Sequence, residues 1–187
     1  DYMPEETFDA LREFVVGIKG PLTTPVGGGF RSLNVTLRQV LDLYACIRPV
    51  AWYEGVPSPL KEPWKVDAVI FRENTEGLYS MVEWPSLPEE LYKLHPQLER
   101  FRDKEQTAGS LRVFSKEGCR RIARNAFEYA IKHGRKSVTA VHKANVIRET
   151  CGLFLQQCHA VAEDYPGIDL WEANVDAMCM WLIKNPQ

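Results

Sequence analysis

"SKEGCRRIARNAFEYAIKHGR", residues 115–135, and the "SVTAVHK" that follows at 137–143 decide the fold. In the first stretch Cys119, Ile122, Ala123, Ala126, Phe127, Ala130 and Ile131 recur at helical spacing and form one apolar stripe. Gly134 stands where a helix ends on a left-handed residue. The second stretch is a short apolar strand. "ANVIRETCGLFLQQCHAVAEDY" then reads as a helix with Phe154, Cys158 and Val161 on its stripe, "IDLWEANV" as a strand and "DAMCMWLIKN" as a last helix. Helix, strand, helix, strand, helix predicts an α/β fold.

Working back toward the start, "MPEETFDALREF" reads as a short helix, with Pro4 in its first turn and Glu5 and Glu6 at the positive end of its dipole. "VVGIKG", 15–20, is a strand candidate, and "PLTTPVGGGF" a loop, since its prolines and glycines continue neither element. A helix is expected from about Asn34 to Ala45, with Leu37, Leu41 and Tyr44 at helical spacing. "VDAVIFREN", 66–74, is a strand that ends in charged residues. Residues 77–116 are broken by Pro85, Pro88 and Pro96 and densely charged from Glu99 to Glu105, as an arm or insertion would be.

The chain of 187 residues is long enough for one or two domains with a core, and its 45% apolar and 26% charged content is that of a globular protein. A net charge of −2 argues against general nucleic-acid binding. No apolar run reaches the ~20 residues of a membrane helix, and no signal peptide is visible. Five cysteines without a C-x-x-C pattern, several inside apolar runs, suit a reducing compartment, either cytoplasm or mitochondrial matrix.

The chemistry-bearing residues cluster in three places. "RSLNVTLRQVLDLYACIRP" puts Ser32, Asn34, Arg38 and Arg48 just after the run Gly27-Gly28-Gly29. The run does not satisfy a Walker or dinucleotide pattern, so a helix cap and an anion contact are both open for Ser32. Arg72 ends an apolar strand, where α/β proteins place binding residues, and guanidinium groups take carboxylates bidentately. Three arginines together suit a polycarboxylate. Lys143 follows an apolar strand and is a candidate for proton transfer, or else a lysine that snorkels to solvent. Tyr79 by itself fits packing as well as chemistry, and Asp176, at the start of the last helix, fits an N-cap.

"KGPLTTPVGGGFRSLNVTLRQVLDLYACIRPV", "VIFRENTEGLYS" and "VHKANVIRETCGLFLQ" resemble the isocitrate dehydrogenase branch of the β-decarboxylating, isocitrate/isopropylmalate dehydrogenase family. The resemblance covers most of the chain and is weakest over about 81–108. It implies that Ser32, Asn34, Arg38, Arg48 and Arg72 hold the carboxylates of isocitrate. It implies that Tyr79 protonates the enol after CO₂ leaves, and that Lys143 assists proton transfer at the substrate hydroxyl. Asp176 would be one aspartate around Mg²⁺ or Mn²⁺, and Thr23 and Asn145 would approach the nicotinamide of NAD⁺ or NADP⁺. The "GPLTTPVGGGFRSLNV" part looks like bacterial NADP-type enzymes, the "VHKANVIRETCGLFLQQCHAVAEDYPGI" part nearer to oligomeric NAD-type ones. The expected architecture is part of a large domain over 1–43, a small α/β domain over 44–76 and 117–187, and a clasp-like arm over 77–116. The expected partner is a second copy of the chain, with shared active sites. The family's first strand and glycine turn, its later aspartate-rich metal motif and most of its cofactor half have no counterpart here, so the segment by itself is expected to be inactive. A non-catalytic regulatory subunit or a free-standing dimerisation module is the alternative, but such subunits often lose part of the Tyr, Lys and Arg set that this chain keeps.

Overall fold

The computed structural model describes residues 3–23 and 32–186. Its core forms where the periodicity is strongest. Helix α4 (Lys116–Lys132) packs along α5 (Arg148–Ala162), and both lie against the parallel pair β5 (Ser137–His142) and β6 (Asp169–Asn174). The α5 crossover joins two parallel strands, as an α/β unit requires. Phe127 and Val161 are fully buried, with Ala123, Ala130, Ala140, Cys158 and Ile168 around them. Phe127 stacks on Tyr165 with ring centroids 5.4 Å apart. Both ends of α4 are capped: Ser115 accepts a bond from the Gly118 N–H, and Gly134, at φ 62°, takes the left-handed turn. Of the expected α4 stripe, Ile131 is the exception and lies exposed.

The second unit is the antiparallel pair β1 (Ala45–Ala51) and β2 (Asp67–Glu73), with Cys46 opposite Arg72 and Arg48 opposite Ile70. Side chains alternate along a strand, so Cys46, Arg48 and Arg72 share one face. Phe71 is on the other face and meets Tyr129 of α4 edge to face at 5.3 Å. Arg135, just past α4, donates to the Asp67 carbonyl and carboxylate and fixes the start of β2. The strand pair therefore has its back on α4 and its arginines in front.

The rest is more local. Helix α1 (Glu5–Phe14) forms as expected, but 15–20 is not a strand: Val16 and Ile18 are exposed and no described strand pairs with them. Helix α2 is shorter than its pattern, Leu33–Val40, because Asp42 turns left-handed at φ 46° and the Leu43 N–H closes back on the Arg38 carbonyl. Tyr44 thus leaves the helix. Residues 77–113 make an antiparallel excursion, β3 (Gly77–Trp84) and β4 (Gly109–Val113), with the short helix α3 (Glu89–Leu94) between them. Helix α6 (Val175–Lys184) is last. No helix among the described residues is long and apolar enough to cross a membrane.

Because Phe127 has no solvent contact, Phe127→Ala should lower unfolding free energy by about 3–5 kcal/mol, read by urea or thermal melts. A loss of only about 0.5 kcal/mol, that of a surface change, would contradict this account of the core.

Candidate active site

Three arginines from three elements converge. Arg38 comes from the last turn of α2, Arg48 from β1 and Arg72 from the end of β2. The guanidinium carbons of Arg38 and Arg72 lie 5.9 and 5.4 Å from the Tyr79 ring centroid, close enough for cation–π attraction. Arg48 Nε donates to the Cys46 sulfur at 3.1 Å, and Arg72 Nε and Nη2 donate to Asn74 Oδ1 at 3.2 and 2.9 Å. Burial opposes ionisation of the Cys46 thiol, but the Arg48 hydrogen bond and the charges of Arg48, Arg72 and Arg38 outweigh it and hold its pKa below the ordinary thiol value. That one sulfur thus registers the field of all three cations.

A bulge aims Tyr79 at this group. The β3–β4 register slips between Gly77 and Val82, and Met81 inside the slip has φ 57°. Gln39 Nε2 of α2 donates to the Tyr79 carbonyl at 3.2 Å and ties the bulge to the helix that carries Arg38. Ser32 occupies the N-cap position of α2, yet its hydroxyl makes no capping bond; its carbonyl accepts from Thr36. Asn34 is half-buried in the same first turn. The glycine run 27–29 lies outside the described residues.

The other predicted residues form a second group. Lys143 follows β5, and its Nζ meets Asp176 Oδ1 at 2.8 Å. Asp176 is in the first turn of α6, whose N-cap position belongs to Asn174. The Lys143 hydrogen bond, with backbone N–H bonds from Asp176 and Ala177, holds the Asp176 carboxyl below its usual pKa. Asn145 and Thr23 are exposed, Asn145 in the turn after β5 and Thr23 in the irregular segment after α1. Arg72, Tyr79 and Lys143 line one cavity of about 400 Å³, walled by Phe71, Cys119, Ile122 and Phe154. Arg38, Arg48, Ser32, Asn34 and Asp176 are outside it.

The model of the isocitrate/isopropylmalate dehydrogenase family matches residues 1–187. The chain belongs to the isocitrate/isopropylmalate dehydrogenase family. It is 47% identical to the isocitrate dehydrogenase [NADP] of Pseudomonas aeruginosa, over all of this chain and 45% of that protein. With the isocitrate dehydrogenase [NADP] of Archaeoglobus fulgidus it shares 50% identity over 87% of this chain and 40% of the relative. The crystal structure of isocitrate dehydrogenase from Methylococcus capsulatus superposes with a TM-score of 0.83 and 42% identity, covering 99% of this chain and 50% of that one. The chain thus spans half or less of the length of these family members.

The Mg²⁺ or Mn²⁺ that the resemblance implies can be weighed against the side chains present. Asp176 offers a hard, ionised oxygen suited to Mg²⁺ or Mn²⁺. Among the described residues no group of three or more potential ligands gathers, so they do not complete a metal site around it.

Sequence reasoning missed Cys46, Asn74 and Gln39. For Cys46 the signal was present, since it stands two residues before Arg48 in what proves to be a strand. Alkylation by iodoacetamide near pH 7.5 should therefore modify Cys46 well before Cys119 or Cys158, whose pKa values burial pushes up to about 11 and about 12. Peptide mass mapping that finds the three labelled at equal rates would refute this ordering.

Proposed function

We propose that the protein carrying this chain oxidatively decarboxylates isocitrate to 2-oxoglutarate and CO₂ with NADP⁺ as oxidant, and that this chain supplies the substrate-binding part. The observation that carries the reading is the convergence of Arg38, Arg48 and Arg72 on Cys46 and Tyr79. Such a cup suits a compact polycarboxylate, and the relatives named above are NADP isocitrate dehydrogenases.

The arginines, with Ser32 and Asn34, hold and orient the three carboxylates so that the alcohol carbon faces the oxidant. Lys143 moves the proton of the substrate hydroxyl as the alcohol becomes a ketone. Once CO₂ has left, Tyr79 delivers a proton to the enol carbon. Asp176 would be one ligand of Mg²⁺ or Mn²⁺, which when bound would supply Lewis-acid stabilisation of charge on the substrate oxygen, and Thr23 and Asn145 would approach NADP⁺, which would supply the hydride acceptor. We assign 1–43 to a large domain, 44–76 and 117–187 to a small domain, and 77–116 to an arm that clasps a second copy. Support for a second copy comes from the apolar surface of β6 and α6, where Trp171, Met180, Trp181 and Ile183 are all exposed.

Two arrangements of the proton-transfer groups compete. In the preferred one, Lys143 and Asp176 serve the partner's arginines across a two-fold axis. The cavity that Lys143 shares with Arg72 and Tyr79 of its own chain favours the single-chain alternative.

In the full-length enzyme, Arg38→Ala should lower kcat/KM for isocitrate by at least about 30-fold, the low end for removing one partner of a buried charge pair; unchanged kinetics would remove Arg38 from the site. Subunit exchange decides between the two arrangements. A Tyr79→Phe chain mixed with a Lys143→Met chain should recover activity above either parent if sites are shared, because one of the two hybrid sites is then intact. If mass spectrometry confirms exchange and no activity returns, the single-chain arrangement holds.

A further inference from the structure

Asn74 is 4% exposed and follows Arg72 by two residues. Its Oδ1 takes both Arg72 Nε and Nη2, and a guanidinium only donates, so the amide orientation is fixed by its partner. Its backbone N–H donates to the Tyr44 carbonyl at 2.8 Å. Tyr44 is itself held, with its ring under the Arg121 guanidinium at 4.3 Å and its hydroxyl accepting from Asn125 Nδ2 at 3.1 Å. On the other side, the Glu73 carboxylate accepts the N–H groups of Thr75 and Glu76, and the Glu76 carboxylate accepts the Ser115 N–H. A Cβ on Gly118 would fall 2.4 Å from the Glu76 carboxylate, which would have to move away from its place against the start of α4. The turn 73–76 is thus clamped from both sides, and Asn74 Oδ1 has a fixed place.

A neutral oxygen is what this place requires. A carboxylate there would pair bidentately with Arg72 and cancel the charge that an anionic ligand needs. An amide oxygen orients the guanidinium and leaves its charge unspent. We infer that Asn74 is the positioning residue for Arg72, holding its guanidinium in the carboxylate-binding pose while keeping it uncompensated. The inference rests on the carboxylate-site reading above.

The test compares Asn74→Asp with Asn74→Ala in the intact enzyme, by calorimetric titration with isocitrate and Mg²⁺. A residue that merely supports the fold predicts that near-isosteric aspartate is the milder change. Positioning of an uncompensated cation predicts the reverse. Asn74→Ala should raise Kd about 3- to 10-fold and Asn74→Asp about 30-fold or more, a charged hydrogen bond being worth more than a neutral one. In an Arg72→Ala background the difference between the two should vanish. If Asn74→Ala folds poorly by circular dichroism, Asn74→Ser takes its place in the same comparison. Asn74→Asp binding as tightly as the truncation, or tighter, overturns the inference alone. Undiminished affinity in Arg72→Ala overturns the carboxylate reading, and the inference with it.

Discussion

Like charges held close together repel, and the site depends on holding three guanidinium groups together without neutralising them. None of Arg38, Arg48 and Arg72 has an ion pair among the described residues, whereas Arg12, Arg102, Arg121, Arg124 and Arg135 each meet a carboxylate. The three are held by neutral or polarisable groups instead: an amide oxygen for Arg72, a sulfur for Arg48, and the face of Tyr79 between Arg38 and Arg72. Each fixes direction without neutralising the charge. The rest of the chain supplies the rigidity: β1 and β2 set Arg48 and Arg72 on one face, and α4 braces the other.

Much of this was legible in the sequence because it is periodic. The α4 stripe, the β5 strand and the α5 crossover follow local hydrophobic spacing, and the structure buries Phe127, Cys158 and Val161 as that spacing implies. Strand β1 was not legible. "ACIRPVA" contains a proline, which counts against a strand, yet β1 is at the edge of its pair, where a missing N–H at Pro49 is tolerated. The "VVGIKG" segment failed in the opposite sense: β-branched residues favour a strand only where a neighbour exists to pair with. Helix α2 stopped five residues early for the same kind of reason. Its apolar spacing continues to Tyr44, but the long-range bonds of Tyr44 with Asn74 and Asn125 pull it out of the helix.

The site was legible as residue types but not as an arrangement. Arg38, Arg48 and Arg72 could be singled out one at a time by position, but their convergence depends on the β1–β2 register and on the left-handed turn at Asp42, neither of which a local pattern encodes. Tyr79 shows this most sharply. Regular alternation would set its direction by counting from Gly77, whereas three extra residues in the β3 slip re-aim it.

The neighbouring carboxylates explain how so open a cationic group survives in a chain of net negative charge. Glu73 and Glu76, within four residues of Arg72, have their oxygens filled by the N–H groups of Thr75, Glu76 and Ser115. Asp42, four residues after Arg38, is taken by Arg121, Asp67 at the far end of β2 by Arg135, and Asp176 by Lys143. Of these acids, Glu73, Glu76 and Asp42 lie within four residues of Arg72 or Arg38, and a free carboxylate on so short a tether would compete with an external anion at high effective concentration. Engaging each acid elsewhere removes that competitor. The same ion pairs, worth little individually to stability, therefore leave Arg38 and Arg72 unpaired by these acids, as the proposed carboxylate site requires.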